Sequence, residues 1–150
     1  MFYAISGING DYEAYKRALK KLKFQNLDDI KEEDIMNEEA VISTLEGEDV
    51  LYVLGNIIGA GGGSMKILQD MMSRDNVIAV VGENEYKITQ ALKALNDHIQ
   101  STGEVPPQML VDKITSMLGE ELSGAVEEFL QLDDEEREDV IEYIDCLLYT

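Results

Sequence analysis

The sequence predicts an α/β fold: a small parallel sheet of about three strands with flanking helices, followed by a helical C-terminal part. Three short apolar runs occur in the first 100 residues, each followed by a glycine-containing turn and a segment with helical spacing. No such run follows them. Parallel neighbours need connections long enough to hold a helix. We therefore expect one domain over 1–150, with an α/β part at 1–100 and helices at 108–148.

The first unit is a strand followed by an amphipathic helix. The apolar run from Phe2 to Ser6 ends at Gly7, which is typical of a buried strand leading into a tight turn. Asp11 is suited to cap the helix that follows. Apolar residues then recur at helical spacing, at Tyr12, Tyr15, Leu19 and Leu22, with five bases on the other faces, namely Lys16, Arg17, Lys20, Lys21 and Lys23.

The next two units repeat this order. The acidic stretch from Asp28 to Leu45 predicts one or two short helices. The second and third strands are Asp49 to Leu54 and Asn76 to Val81, and the helices after them are Ser64 to about Ser73 and about Glu85 to His98. A turn-rich linker, Ser101 to Pro107, leads to three helices, Gln108 to Leu118, Glu121 to Leu130 and Leu132 to Leu148. Continuous apolar strands suggest a sheet covered on both faces.

The composition excludes several classes of function. With 12 basic and 31 acidic residues the formal charge is -19, which argues against binding nucleic acid or an anionic membrane through a general basic surface. Cys146 and His98 are the single cysteine and histidine, so we expect no internal disulfide, no cysteine-based zinc site and no cofactor. No apolar run is long enough to span a membrane, and we expect a cytoplasmic protein.

The acidic residues are concentrated in two segments, one from Asp28 to Glu39 and one from Asp133 to Asp145. Residues 1–27 carry a charge of +3 and residues 28–150 a charge of -22. Eight of the thirteen residues from Asp133 to Asp145 are acidic. Such a run is usually a solvated helix face, and the alternative is a surface that binds a basic partner or mimics a polyanion. The candidate partner-binding residues are Asp133, Asp134, Glu135, Glu136, Glu138 and Asp139.

The three strand ends carry Ser-Gly-Ile-Asn-Gly (6–10), Gly-Asn-Ile-Ile-Gly-Ala-Gly (55–61) and Gly-Glu-Asn-Glu (82–85). In order and spacing they resemble the calcineurin-like metallophosphoesterase family, nearest to its serine/threonine phosphatase and diadenosine tetraphosphatase branch. In that family the corresponding motifs are Asp-x-His-Gly, Gly-Asp-x-x-Asp-Arg-Gly and Gly-Asn-His-Glu. The resemblance covers nearly the whole chain and implies the N-terminal half of the family's sandwich.

The resemblance also implies that the family's metal chemistry is missing. Its metal-binding and catalytic positions correspond here to Gly7, Asn9, Asn56, Glu83 and Asn84, and its supporting Asp and Arg to Gly59 and Ala60. Two closely spaced divalent ions need anionic and imidazole ligands, which glycines and neutral amides do not supply. The family's later histidine ligands lie beyond the segment matched by this chain. The motifs therefore predict a pseudoenzyme with no metal.

Two other uses of these loops stay open. The asparagines and Glu83 are candidates for an oxygen-rich cation site, against the simpler interpretation that they are turn residues. The glycine-rich segment Gly59 to Ser64 precedes a helix and is a candidate phosphate cradle, although it lacks the Gly-Lys-Ser/Thr ending of a P-loop.

We expect a non-catalytic, degenerate phosphoesterase-like protein that acts by binding another macromolecule. The alternatives are an acidic inhibitor that mimics nucleic acid, of the phage anti-restriction or anti-CRISPR type, and a residual nucleotide- or phosphodiester-binding enzyme. The resembling family covers its first sheet with a second one that this sequence does not supply. We expect two chains to pair through the uncovered face, and the alternative is that the helices from Gln108 to Leu148 fold over it.

Overall fold

The fold is built on a parallel sheet of three strands. A computed structural model of the protein describes residues 1–24 and 49–148, so the helices expected between Asp28 and Leu45 lie outside the described residues. The strands are β1 (Phe2–Ser6), β2 (Val50–Leu54) and β3 (Val77–Val80), hydrogen-bonded in the order β1-β2-β3. Both pairs are parallel, with Ala4 opposite Tyr52 and Tyr52 opposite Ile78. The predicted α/β fold and parallel sheet are confirmed.

Six helices accompany the strands in the described residues. They are α1 (Tyr12–Lys21), α2 (Ser64–Met72), α3 (Glu83–Thr102), α4 (Gln108–Leu118), α5 (Glu120–Leu130) and α6 (Asp134–Leu148). α1 begins as expected, because Asp11 accepts a hydrogen bond from the backbone N–H of Ala14 at 3.0 Å. α3 is longer than expected: it starts at Glu83, where acidic residues favour a helix N-terminus, and ends at Gly103, which has the left-handed φ of 71°.

The helices pack in two layers. α2 contacts both α1 and β3, while α5 and α6 pack against α2 and α3. The core cluster runs through all these layers. It includes Leu51 and Val53 of the sheet, Tyr15 and Leu68 of the inner helices, and Phe129 of α5.

Within residues 1–24 and 49–148, the helices cover one face of the sheet and leave the other without a covering element. The expectation of cover on both faces stays a prediction, because residues 25–48 lie outside the described residues. We call the uncovered side the open face. It comprises Phe2, Ala4, Ser6, Val50, Tyr52, Leu54, Ile78 and Val80, which alternate along each strand with less exposed side chains. Val50 and Tyr52 are half-buried and the other six are exposed. The strand order explains the one-sided cover, because two successive right-handed crossovers that progress in the same direction place both connecting helices on one side. α4, α5 and α6 pack on helices and leave the open face exposed.

Candidate functional site at the carboxyl ends of the strands

The first two motif loops are joined by backbone hydrogen bonds. The N–H of Asn9 donates to the carbonyl of Asn56 at 3.0 Å, and that of Gly10 to the carbonyl of Ile57 at 2.7 Å. In the other direction the N–H of Gly61 donates to the carbonyl of Asn9 at 2.9 Å. The loops therefore lie side by side at the carboxyl edge of the sheet, as the parallel order predicts.

The third motif is attached through two asparagine side chains. The Oδ1 of Asn56 accepts from the backbone N–H of Asn84 at 3.1 Å, and the Nδ2 of Asn84 donates to the carbonyl of Ile58 at 2.8 Å. Asn9 and Asn56 have φ values of 48° and 32°, in the left-handed region that asparagine tolerates better than most residues. The asparagines thus act as turn and loop-joining residues.

The glycines of the motifs allow this close contact between loops. A Cβ added to Gly82 would lie 2.3 Å from the backbone nitrogen of Asn56, and one added to Gly59 would lie 2.7 Å from the backbone of Asn9. No side chain fits at either position without a shift of the backbone. The glycine content of these loops therefore has a packing explanation.

The remaining motif positions do not join this cluster. Glu83 is exposed and forms an ion pair with Lys87 one turn further along α3, at 2.9 Å. Ala60 and Gly7 are exposed as well. Across residues 1–24 and 49–148, no three histidine, cysteine, aspartate or glutamate side chains are grouped so that they could hold a metal ion.

Glu85 is a buried carboxyl that the sequence analysis did not single out. Its Oε1 accepts a hydrogen bond from the backbone N–H of Ile57, and its side chain is fully buried. Burial raises the pKa of Glu85, although the backbone N–H groups around it, that of Ile57 first, act in the opposite direction. A signal was present, because Glu85, Ile88 and Leu92 share the helical spacing of the buried stripe of α3.

The N-terminus of α2, where a phosphate cradle was considered, faces a carboxyl group of the same chain. Burial raises the pKa of Glu128 on α5, while the backbone N–H groups of Met65 and Ser64 and the ammonium of Lys66 lower it. Ser64 is itself engaged, since its Oγ accepts from the N–H of Gly59 at 3.1 Å. A carboxyl group of the same chain therefore already lies near the N-terminal N–H groups of α2.

Half of the acidic residues proposed for partner binding stabilise the start of α6. The Oδ1 of Asp133 accepts from the N–H of Glu136 at 2.8 Å, and the Oε1 of Glu136 accepts from the N–H of Asp133 at 3.1 Å. This reciprocal pair is a capping box. Asp134 pairs with the buried Arg137, whose Nε also donates to the Oδ1 of Asn96 at 3.1 Å.

Four more acidic residues of α6 form a continuous row, which we call the acidic stripe. It consists of Glu135, Glu138, Asp139 and Glu142, all exposed, in which the adjacent pair Glu138 and Asp139 lies three or four positions from both Glu135 and Glu142. Residues at that spacing lie on one side of a helix, with their Cβ atoms about 5–6 Å apart. The neighbouring helix adds the exposed carboxylates of Glu120, Glu121 and Glu127. Arg137, the single base in residues 120–148, is buried, so this segment contributes no exposed base to the surface. Lys93 of α3 pairs with Asp145, further along α6, at 2.7 Å.

Comparison with known proteins finds no matching family model, no matching curated protein and no matching solved structure. The resemblance to metallophosphoesterases therefore rests on the three motifs and their order alone. In the part of the chain that the structure describes, no helix is long and apolar enough to cross a membrane.

Proposed function

We propose that this chain is a non-catalytic cytoplasmic protein that binds a basic macromolecule through the acidic stripe of α6. The observation that carries the proposal is the arrangement of Glu135, Glu138, Asp139 and Glu142, which are exposed on one side of one helix. They lie in a segment, residues 120–148, whose single base, Arg137, is buried. An extended surface of one sign attracts an oppositely charged partner and speeds its association.

The motif loops support the non-catalytic part of the proposal. The side-chain oxygen of Asn56 and the side-chain nitrogen of Asn84 already serve to join the loops. Glu83, the acidic residue among the altered metal positions, pairs with Lys87 on the surface of α3. These residues match a loop-joining role better than the anionic ligand set that two divalent ions require.

The acidic stripe replaces the wider set of partner-binding residues predicted from the sequence. Asp133 and Glu136 are bonded to each other's backbone, and Asp134 to Arg137. Changing them would disturb the helix start together with any contact. Glu135, Glu138 and Asp139 stay in the proposed binding surface, and Glu142 joins them.

The test compares two variants that each lose four negative charges. The stripe variant carries Glu135→Gln, Glu138→Gln, Asp139→Asn and Glu142→Gln. The control variant carries Asp75→Asn, Asp97→Asn, Glu104→Gln and Asp112→Asn, which are exposed residues outside α5 and α6. Immobilised wild-type, stripe and control proteins are incubated with lysate of the source cell, and the captured proteins are identified and eluted with a salt gradient.

We expect wild-type and control proteins to retain the same basic protein, and the stripe variant to lose it. With the purified partner, the association rate should fall steeply as salt rises, because exposed charges are screened over about 8 Å at physiological ionic strength. Retention of the partner by the stripe variant would contradict the proposal. So would Mn²⁺-dependent hydrolysis of bis(p-nitrophenyl) phosphate, which would favour the residual-enzyme alternative.

A second candidate function, mimicry of nucleic acid, is favoured by the regular spacing of the stripe. Carboxylates repeated about every 5–6 Å along a helix present a row of like charges, as a phosphate backbone does. The two functions predict different results when duplex DNA competes for the captured partner. If the captured partner is a nucleic-acid enzyme and duplex DNA displaces it from the wild-type protein, the chain acts as a mimic. If DNA leaves the complex intact, the partner is bound at a surface of its own.

A further inference from the structure

The open face is an uncharged apolar surface on a highly acidic protein. None of its eight residues is charged, whereas the chain as a whole is 29% charged. Phe2 is 75% exposed, and the outward side chains of Leu54, Ile78 and Val80 are 40–43% exposed. Soluble monomers rarely leave a contiguous apolar patch of more than a few hundred Å² in water. This face is therefore expected to be an interaction surface.

The shape of the face restricts what it can bind. The three parallel strands offer a pleated surface with Tyr52 on the central strand, and the ring of Phe2 lies 6.4 Å from the ring of Tyr52. None of its eight residues carries a charge that would attract a basic or an acidic partner. A second, equally apolar sheet is the surface that complements it, since two sheets pack face to face about 10 Å apart.

We propose that the open face joins two copies of this chain around a two-fold axis. Each copy supplies the same uncharged residues, so the contact complements itself as an isologous interface must. The acidic stripe belongs to a helix that packs on α2 and α3, which keeps the densest negative charge away from the contact. The face would bury on the order of 1,000 Å² in total, near the lower limit of specific interfaces. The dimer should therefore dissociate on dilution.

The test is the mass in solution, measured by sedimentation velocity from 2 to 200 µM on the full chain. The interface variant carries Ile78→Lys and Val80→Lys. The matched control carries Met109→Lys and Met117→Lys, which adds the same charge at two apolar side chains of α4 that are 85% and 81% exposed. Circular dichroism checks that each variant is folded. The milder pair Ile78→Thr and Val80→Thr replaces the lysine pair if the latter is unfolded, because threonine suits a strand.

We expect the wild-type and α4 control proteins to reach twice the 16.8 kDa chain mass at high concentration. The interface variant should stay at the monomer mass, with dimerisation weakened at least about 100-fold by the buried unpaired charges. A wild-type protein that is monomeric at every concentration overturns the proposal, whether the face is bare or covered by residues 25–48. A dimer that persists in the interface variant overturns it too. The acidic-stripe proposal concerns another surface and is unaffected by either result.

Discussion

Single glycines determine how closely the motif loops can approach. At Gly82 the space for a Cβ is taken by the backbone of Asn56, whereas at Gly124, inside α5, nothing lies within 4 Å of that position. The same substitution should therefore have opposite effects at the two sites. This contrast separates glycines needed for packing from glycines that only add freedom to the unfolded chain.

We expect Gly82→Ala to lower the free energy of unfolding by about 1–3 kcal/mol, the usual effect of an overpacked position. Gly124→Ala should raise it by about 0.5–1 kcal/mol, the difference in helix propensity between the two residues. Urea denaturation followed by circular dichroism measures both values. Equal stability of the two variants would show that the loops are not held as closely as 2.3 Å implies.

Because Glu85 is buried, its carboxyl group should make the free energy of unfolding depend on pH. Its folded-state pKa is raised above the ordinary value of 4.5, so the folded protein holds the proton more tightly than the unfolded chain does. The resulting stabilisation is full below the unfolded pKa and is lost as pH rises through the folded pKa. Wild type should therefore lose stability relative to Glu85→Gln as the pH rises above the ordinary carboxyl pKa of 4.5.

Chemical denaturation of both proteins at several pH values measures this difference. The amide of Glu85→Gln keeps an oxygen for the N–H of Ile57, and any cost of its buried NH₂ group does not change with pH. The exposed Glu104→Gln controls for the loss of one negative charge. A difference between wild type and Glu85→Gln that is constant with pH would contradict the assignment.

At the scale of elements, the capping box of Asp133 and Glu136 stabilises the start of α6. Asp133→Ala and Glu136→Ala each remove one half of the capping box and should each lower the free energy of unfolding by about 1 kcal/mol. The double variant should lose less than the sum, because each residue depends on the other. Glu135→Ala, one position away and exposed, should have little effect. Thermal denaturation of the four variants measures this, and additive losses would argue against a reciprocal pair.

The elements also show where sequence reasoning reaches its limit. Strands, helices and the meeting of the three motifs were predictable, because apolar period and glycine position are local signals. The pairing of buried polar groups was not. The hydroxyl of Tyr15 donates to Asp70 at 2.6 Å, and Arg74 holds the same carboxylate at 2.8 Å, although Tyr15 and Asp70 are 55 positions apart. Nothing in the local pattern of α1 marks Tyr15 as the partner of a residue on α2.

In the candidate site, too, some residues could be predicted from the sequence and others could not. The asparagines and glycines of the motifs were named from the sequence, and the structure gives them the roles of turns and close contacts. Glu128 could not be found, because the N–H groups that lower its pKa belong to the start of α2, some 60 residues earlier in the chain. The acidic run was evident, but separating the capping residue Asp133 from the exposed Glu138 required the hydrogen bonds of α6.

For the whole molecule, a net charge of -19 means that repulsion between like charges opposes folding. Four of the negative charges lie close together in the acidic stripe. Four pairs of carboxylates in the stripe are three or four positions apart: 135–138, 135–139, 138–142 and 139–142. Each like-charged pair costs about 0.2–0.5 kcal/mol at low salt. Glu135 recovers part of this through its position near the helix N-terminus. A cost of about 1 kcal/mol thus remains that no contact within the described residues offsets.

The stripe variant should therefore be more stable than wild type at low salt, by about 1 kcal/mol, and the difference should shrink as salt rises because screening removes the repulsion. The control variant loses the same four charges from separate elements and should gain less. Thermal unfolding of the three proteins at 20 mM and 500 mM NaCl measures both effects. Equal gains in the two variants would mean that only net charge matters. A larger gain in the stripe variant would show that the chain keeps a destabilising surface, which is expected where a partner, and not folding, requires it.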